Sequence, residues 1–178
     1  ELIKKRFKSK YAVATNSGTS SLRCALASIG VTNGDEVIST PYTWLATNTA
    51  ILEQGAKPVF ADINYDDLNI SAEEIEKKIT KKTKAIICVH YAGNPVELNK
   101  IKKISRDHKI PLIEDCAHAM GSEYKGVPIG GSGSICCFSF QCVKIVTCGD
   151  GGAITCNDKN MYEKLQSKIW YGFNKEKK

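Results

Sequence analysis

Lys144 stands in Phe138-Ser139-Phe140-Gln141-Cys142-Val143-Lys144, and Gly149-Asp150-Gly151-Gly152 follows five residues later. An apolar strand would deliver a hydroxyl and then a single lysine before a glycine turn sends the chain back. A lysine held in a partly apolar site can lose its proton and attack a carbonyl carbon, forming a Schiff base. Most lysines just past a strand are solvated ends, so this residue alone decides nothing. Asp115 changes the reading, because it closes a second buried strand, Pro111-Leu112-Ile113-Glu114-Asp115. A Schiff-base lysine with an aspartate for a pyridinium nitrogen is what pyridoxal phosphate (PLP) demands.

A phosphate would need its own cradle. Thr15 ends an apolar stretch and leads into Asn16-Ser17-Gly18-Thr19-Ser20-Ser21 before a helical pattern. Backbone N–H groups at a helix N-terminus, with small hydroxyl residues beside them, suit an anion. The stretch is neither a P-loop nor GxGxxG, which argues against a nucleoside triphosphate or a dinucleotide. Taken alone it reads as a Ser/Thr helix cap; with Lys144 and Asp115 added, the stretch reads as a phosphate site. Trp44, after Pro41, is either a core aromatic or an indole free to stack on a flat ring. His118 lies three residues past Asp115, close enough to share a ligand with it. His90 ends an apolar run and is a candidate for the same cleft, whereas His108 reads as a helix-end surface residue. Gly130-Gly131-Ser132-Gly133 precedes a strand rather than a helix and is expected to be a flexible turn.

The elements that must position these groups alternate. Strands are expected at 11–15, 36–40, 58–63, 85–91, 111–115, 134–140 and 153–156. Leu22, Ala25, Leu26 and Ile29 recur at helical spacing, and Gly30 stops that helix. Ser71 with Glu74 forms a capping box ahead of Ile75 and Ile79. Leu98, Ile101 and Ile104 make a third apolar face, and Met161, Leu165 and Ile169 a fourth, opened by Asp158. The fold class is therefore α/β: a three-layer α/β/α sandwich around a seven-stranded, mainly parallel sheet. The 149–152 turn is too tight for a crossover helix, so the last strand should run antiparallel.

The chain has 178 residues, 42% of them hydrophobic and 25% charged, the profile of a soluble globular domain. It has no apolar run of the roughly 20 residues a bilayer span needs and no signal-peptide pattern at its start, so a cytoplasmic location is expected. The net charge of +6 comes from dispersed lysines, the densest around Lys77, Lys78, Lys81, Lys82 and Lys84. No aromatic residues interleave with that run, so nucleic acid is not an expected partner. The eight cysteines show no paired CxxC spacing, which argues against a zinc site and for reduced thiols. The chain begins inside what looks like a helix and stops soon after one, at Lys175-Glu176-Lys177-Lys178. It reads as a single domain, 1–178, truncated at both ends.

In their order, these segments resemble the DegT/DnrJ/EryC1/StrS family of PLP-dependent sugar aminotransferases. The matching pieces begin with Asn16-Ser17-Gly18-Thr19, Gly34-Asp35-Glu36-Val37-Ile38, Pro41-Tyr42-Thr43-Trp44 and Gly55-Ala56-Lys57-Pro58-Val59-Phe60-Ala61-Asp62. They continue with Thr83-Lys84-Ala85-Ile86-Ile87, Val89-His90-Tyr91-Ala92-Gly93, Ile113-Glu114-Asp115-Cys116-Ala117-His118-Ala119 and the stretch from Lys144 through Gly152. The resemblance implies the large domain of a fold type I enzyme, without the smaller C-terminal domain of a full member. It implies Lys144 as the Schiff-base lysine and proton shuttle, and Asp115 as the partner of the pyridinium nitrogen. Gly18, Thr19 and Ser139 would hold the phosphate, Trp44 would stack on the ring, and His118 would sit near its 3-hydroxyl.

The activity implied is transfer of an amino group from an amino acid, glutamate by expectation, to a nucleotide-diphosphate keto sugar, at C4. A homodimer with its active sites at the interface is also implied. Two other readings stay open: a truncated relative that binds PLP without turnover, and a PLP-dependent sugar dehydratase. The dehydratases replace the lysine with histidine, so Lys144 argues against the second. Most members carry asparagine after the lysine, where this chain has Ile145. The aromatic cluster Trp170-Tyr171-Gly172-Phe173 is expected to be exposed in a lone domain and to mark a contact surface.

Overall fold

The computed structural model describes residues 1–170. Helix α1 (Leu2–Phe7) leads into strand β1 (Tyr11–Thr15), and α2 (Gly18–Ile29) follows directly. Ser17 caps α2 by accepting from the Ser20 N–H, and Gly30 ends it at φ 83°, a left-handed conformation that glycine adopts at least cost. Then come β2 (Glu36–Ser39), α3 (Leu45–Leu52), β3 (Lys57–Phe60), α4 (Ala72–Lys78) and β4 (Thr83–Val89). After them run α5 (Leu98–Asp107), β5 (Leu112–Asp115), β6 (Glu123–Tyr124), β7 (Val127–Pro128), β8 (Ile135–Ser139), β9 (Gly152–Cys156) and α6 (Lys159–Ile169).

Seven of these strands form one sheet in the order β1-β9-β8-β5-β4-β2-β3. Strand β9 runs antiparallel to both β1 and β8, while β8, β5, β4, β2 and β3 pair parallel. The expected strand count and the reversed last strand are both present. Side chains alternate across the sheet, as the period of two requires. Val37, Ile87, Ile113 and Ile154 meet Leu22 and Leu26 of α2, Ile51 of α3 and Leu165 of α6 on one face. Ile38, Ile86 and Leu112 meet Ile75 of α4 and Ile101 and Ile104 of α5 on the other. Helices therefore cover both faces, and the three-layer expectation holds.

Local chemistry sets the helix starts. Asp158 accepts the Met161 N–H at 2.7 Å to open α6. Ser71 accepts the Glu74 N–H at 3.4 Å to open α4. Only that half of the capping box forms, because Glu74 pairs with Lys77 and the Ser71 N–H goes to the Asp62 carbonyl. Two elements were not anticipated from the sequence. One is α3; the other is the β6–β7 hairpin, whose Lys125-Gly126 turn takes φ 52° and 78°. Those paired positive values make a tight two-residue hairpin turn.

The 130–133 stretch is a turn ahead of β8, as expected, and Gly130 and Gly131 pack closely. A Cβ on Gly131 would fall 2.2 Å from the Phe7 carbonyl oxygen, and one on Gly130 would meet the Phe138 and Phe7 rings. Glycine here permits close packing against α1. Of the aromatic cluster at 170–173, Trp170 is half exposed; the other three residues lie outside the described residues. No helix among the described residues is long and apolar enough to cross a membrane.

Candidate active site

Ligands of open α/β sheets collect beyond the carboxyl ends of the parallel strands. Here that edge carries Thr15, Asp115 and Ser139, the last residues of β1, β5 and β8. Between Thr15 and α2, Ser17 takes an extended backbone and its Oγ accepts the Ser20 N–H at 3.1 Å. The N–H groups of Gly18 and Thr19 open the helix and have no carbonyl above them in it. Gly18 packs against Ser139: a Cβ there would lie 2.7 Å from the Ser139 Cβ. Only glycine lets the positive end of α2 come this close to the strand that delivers the Ser139 hydroxyl. Gly152 is as tightly placed, 2.4 Å from the Ser17 carbonyl oxygen to a notional Cβ. The resulting pocket of donors suits a phosphate or another small anion.

Asp115 is 5% exposed. Its Oδ2 accepts from Thr47 Oγ1 at 2.8 Å and its Oδ1 from the Ala117 N–H at 3.1 Å. Thr47 Oγ1 also lies 2.9 Å from Thr43 Oγ1. Since the Thr47 hydrogen goes to the carboxylate, Thr43 donates to Thr47. An ionised carboxylate can accept about four hydrogen bonds, so Asp115, with two filled, can still receive an N–H from the cleft. The sequence reading did not find Thr43 or Thr47. Thr43 precedes the Trp44 N-cap and Thr47 lies in the first turn of α3, so no periodic pattern in the sequence pairs them.

Lys144 sits on the loop between β8 and β9. That loop is closed at its base: Phe140 N–H donates to Gly151 O at 2.8 Å, and Phe140 O accepts from Cys148 N–H at 3.1 Å. Lys144 N–H donates to Gln141 O, and Val143 N–H to Gln141 Oε1, giving the loop a compact turn. The Lys144 side chain is half-buried and makes no ion pair among the described residues. Its amine is therefore available to a ligand.

Gly18, Thr19, Trp44, Asp115, His118, Ser139 and Lys144 all line one cleft of about 560 Å³. That volume suits a cofactor-sized molecule. Thr47, Gln141 and Asp150, which the sequence reading did not single out, line it too. Trp44 is 74% exposed and stands at the start of α3, which removes the core alternative and leaves its indole at the cleft wall. Burial, and then the nearby Lys144 charge, hold the His118 pKa below the ordinary histidine value, with Asp115 pulling weakly the other way. A neutral imidazole can still donate or accept one hydrogen bond at each nitrogen.

His90 does not join this cleft, contrary to expectation. It is fully buried on the opposite side of the sheet, with its Nε2 3.1 Å from Glu114 Oε2. His90, Glu114 and Cys116 lie within 4.8 Å of one another, a spacing that could hold a cation. The Val96 N–H, however, donates to His90 Nδ1 at 3.2 Å, so the ring hydrogen is on Nε2 and points at Glu114. A metal at Nε2 would have to displace that hydrogen and orphan the Val96 N–H. The group is a hydrogen-bond network. His108 is a helix-end residue facing Glu76 at 3.1 Å, as expected. All eight cysteines are free, and burial pushes the thiols of Cys88, Cys116 and Cys137 well up.

With this geometry in place, comparison with known proteins is informative. The sequence model of the DegT/DnrJ/EryC1/StrS aminotransferase family matches residues 1–178. The uncharacterized protein MJ1066 of Methanocaldococcus jannaschii is 46% identical over 176 residues, covering 99% of this chain and 46% of its own length. Sugar aminotransferase CalS13 of Micromonospora echinospora superposes with a TM-score of 0.93 at 33% identity, over 99% of this chain and 50% of that one. NtdA of Bacillus subtilis, solved with its cofactor PMP bound, gives a TM-score of 0.86 at 30% identity, over 93% of this chain and 38% of that one. The chain thus spans about half the length of the relatives it matches.

Proposed function

Because the chain belongs to the DegT/DnrJ/EryC1/StrS aminotransferase family, we propose that its cleft binds PLP and serves amino transfer to a sugar. The full reading has the amino group pass from an amino acid, glutamate, to C4 of a nucleotide-diphosphate keto sugar. The observation that carries it is convergence. A helix N-terminus with paired hydroxyls, a buried carboxylate and an amine on a closed loop meet in one cleft of about 560 Å³. A solved relative holds the aminated form of the same cofactor. Once bound, the cofactor supplies a reactive carbonyl and an electron-accepting ring.

The remaining work falls to side chains of this chain. Gly18 and Thr19 N–H groups, with the Thr19 and Ser139 hydroxyls, hold the phosphate at the positive end of α2. Asp115 holds a proton on the ring nitrogen; Thr47 and the Ala117 N–H fix its carboxylate for that. Lys144 Nζ would hold the cofactor covalently through its carbonyl carbon and would be the group that moves a proton at the amino-bearing carbon. Trp44 would cover one face of the ring and exclude water, and His118, which lines the same cleft as Lys144 and Asp115, would face the ring edge.

The rim of the cleft points to a partner. Val143 and Trp44 line the cleft and are 78% and 74% exposed, and their chain neighbours Leu45, Ile145 and Val146 are exposed as well. Apolar surface of this kind marks a contact face, and a second copy of the protein is the proposed occupant. Ile145 in place of the family's usual asparagine adds to this apolar rim. The Lys144 amine itself weighs against the dehydratase reading. The test is to titrate PLP into the full-length protein and to assay glutamate-dependent amination of a nucleotide keto sugar. A saturable visible absorption band with amine product is expected. A band without turnover would leave a cofactor-binding protein, and no band would overturn the reading.

A further inference from the structure

Glu114 and His90 are fully buried, line no part of the cleft and have no role in the chemistry above. A carboxylate withdrawn from water is costly, and apolar residues of similar volume would fill the space without that cost. Their hydrogen bonds have a fixed direction. The Val96 N–H donates to His90 Nδ1 at 3.2 Å, so Nε2 carries the hydrogen and donates to Glu114 Oε2 at 3.1 Å. Ser132 Oγ donates to Glu114 Oε1 at 2.5 Å, and the Ser134 N–H donates to Ser132 Oγ at 3.3 Å. Burial pushes the Glu114 carboxyl up, but the hydrogen bonds from His90 and Ser132 outweigh it and hold the group below its usual value. The network joins the end of β4, the end of β5 and the loop before β8.

The same histidine reaches Asp115 through its backbone: His90 N–H donates to the Asp115 carbonyl at 3.2 Å. Asp115 is the last residue of β5, where the strand ladder stops and local opening is easiest. Thr47 and the Ala117 N–H hold its carboxylate on the cleft side. Among the described residues, no group on the cleft side holds its carbonyl. We propose that His90 and Glu114 are positioning residues for Asp115, tying the end of its strand from the core side so that the carboxylate stays aimed into the cleft. This rests on Asp115 being the cofactor-facing carboxylate.

The test compares Glu114→Gln and Glu114→Leu in the full-length protein by amide hydrogen exchange without cofactor, and by steady-state kinetics with it. The His90 and Ala117 amides report directly, since both donate to Asp115. Leucine removes both acceptors and should speed exchange at these two amides roughly tenfold while α4 keeps its protection. It should also lower kcat roughly tenfold with the donor KM nearly unchanged. Glutamine keeps an acceptor for His90, and Ser132 can turn its hydrogen toward Cys136 Sγ, 3.7 Å away; both readouts should return close to wild type. Unchanged exchange at the two amides with unchanged kcat would overturn the proposal, as would loss of protection spread evenly over the sheet. If Glu114→Leu does not fold, Ser132→Ala is read the same way, with an effect of roughly threefold expected and none overturning it. Absence of PLP binding by the wild type would sink the reading of the cleft, while the exchange comparison would still decide the pair.

Discussion

Residues 114 and 115 are neighbours in one strand, yet their carboxylates meet opposite surroundings. Asp115 opens on a cleft and takes two hydrogen bonds, one from α3 and one from the turn that follows it. Glu114 faces the core and is closed in by His90 and Ser132. The first arrangement leaves lone pairs free for a ligand; the second leaves none aimed at solvent. Burial alone therefore does not mark a functional acid. What separates the two is whether the remaining lone pairs face an open cleft, as at Asp115, or the packed core, as at Glu114.

That contrast can be broken from the cleft side, and the largest effect should come from Lys144. On the proposed function, Lys144→Ala removes attachment point and proton carrier together, and turnover should fall by about 10³-fold or more, with the melting temperature little changed because the side chain is only half-buried on a loop. Asp115→Asn keeps the shape but removes the charge that holds the ring proton. Turnover should fall about 10²-fold, while cofactor still binds through its phosphate and Lys144, seen as a retained visible band. Thr47→Val keeps the volume but removes a bond to a charged group, an interaction of about 1.5–3 kcal/mol; kinetics should give a kcat loss near the lower end, with Asp115 still tied to Ala117. Trp44→Ala should be the mildest, about 0.5–1.5 kcal/mol of stacking, read as weaker PLP binding at nearly normal turnover. If Asp115→Asn instead resembled Trp44→Ala, the distinction between the two carboxylates would fail.

Much of the sheet was legible because its strands are short apolar runs bounded by turn residues, and because the 149–152 glycine turn just before β9 is too tight for a crossover helix. Lys144, Asp115, Ser139 and Gly18 could be named from strand ends and a helix start, features that sequence carries directly. Helix α3 was not visible: its buried residues, Thr47, Ala50 and Ile51, make no clear apolar stripe, and Trp44 offers no side-chain cap. Thr47 was lost with it, since its partner Asp115 is 68 positions away. His90 was misplaced for a simpler reason. Counting by two from Ile86 and Cys88, which face α4 and α5, puts His90 on that same side and away from the cleft. The period was present in the sequence; ending an apolar run places a residue at the strand's edge but does not say which face it takes.

The claim that Lys144, and not another of the many lysines, carries the chemistry can be tested by one measurement. The full-length protein is loaded with PLP, reduced with borohydride to fix the cofactor onto its amine, digested and mapped by mass spectrometry. The expected result is a single pyridoxyl mass on the peptide containing Lys144, abolished in Lys144→Ala. A label on a different lysine, or one that persists in Lys144→Ala, would contradict the assignment of the site.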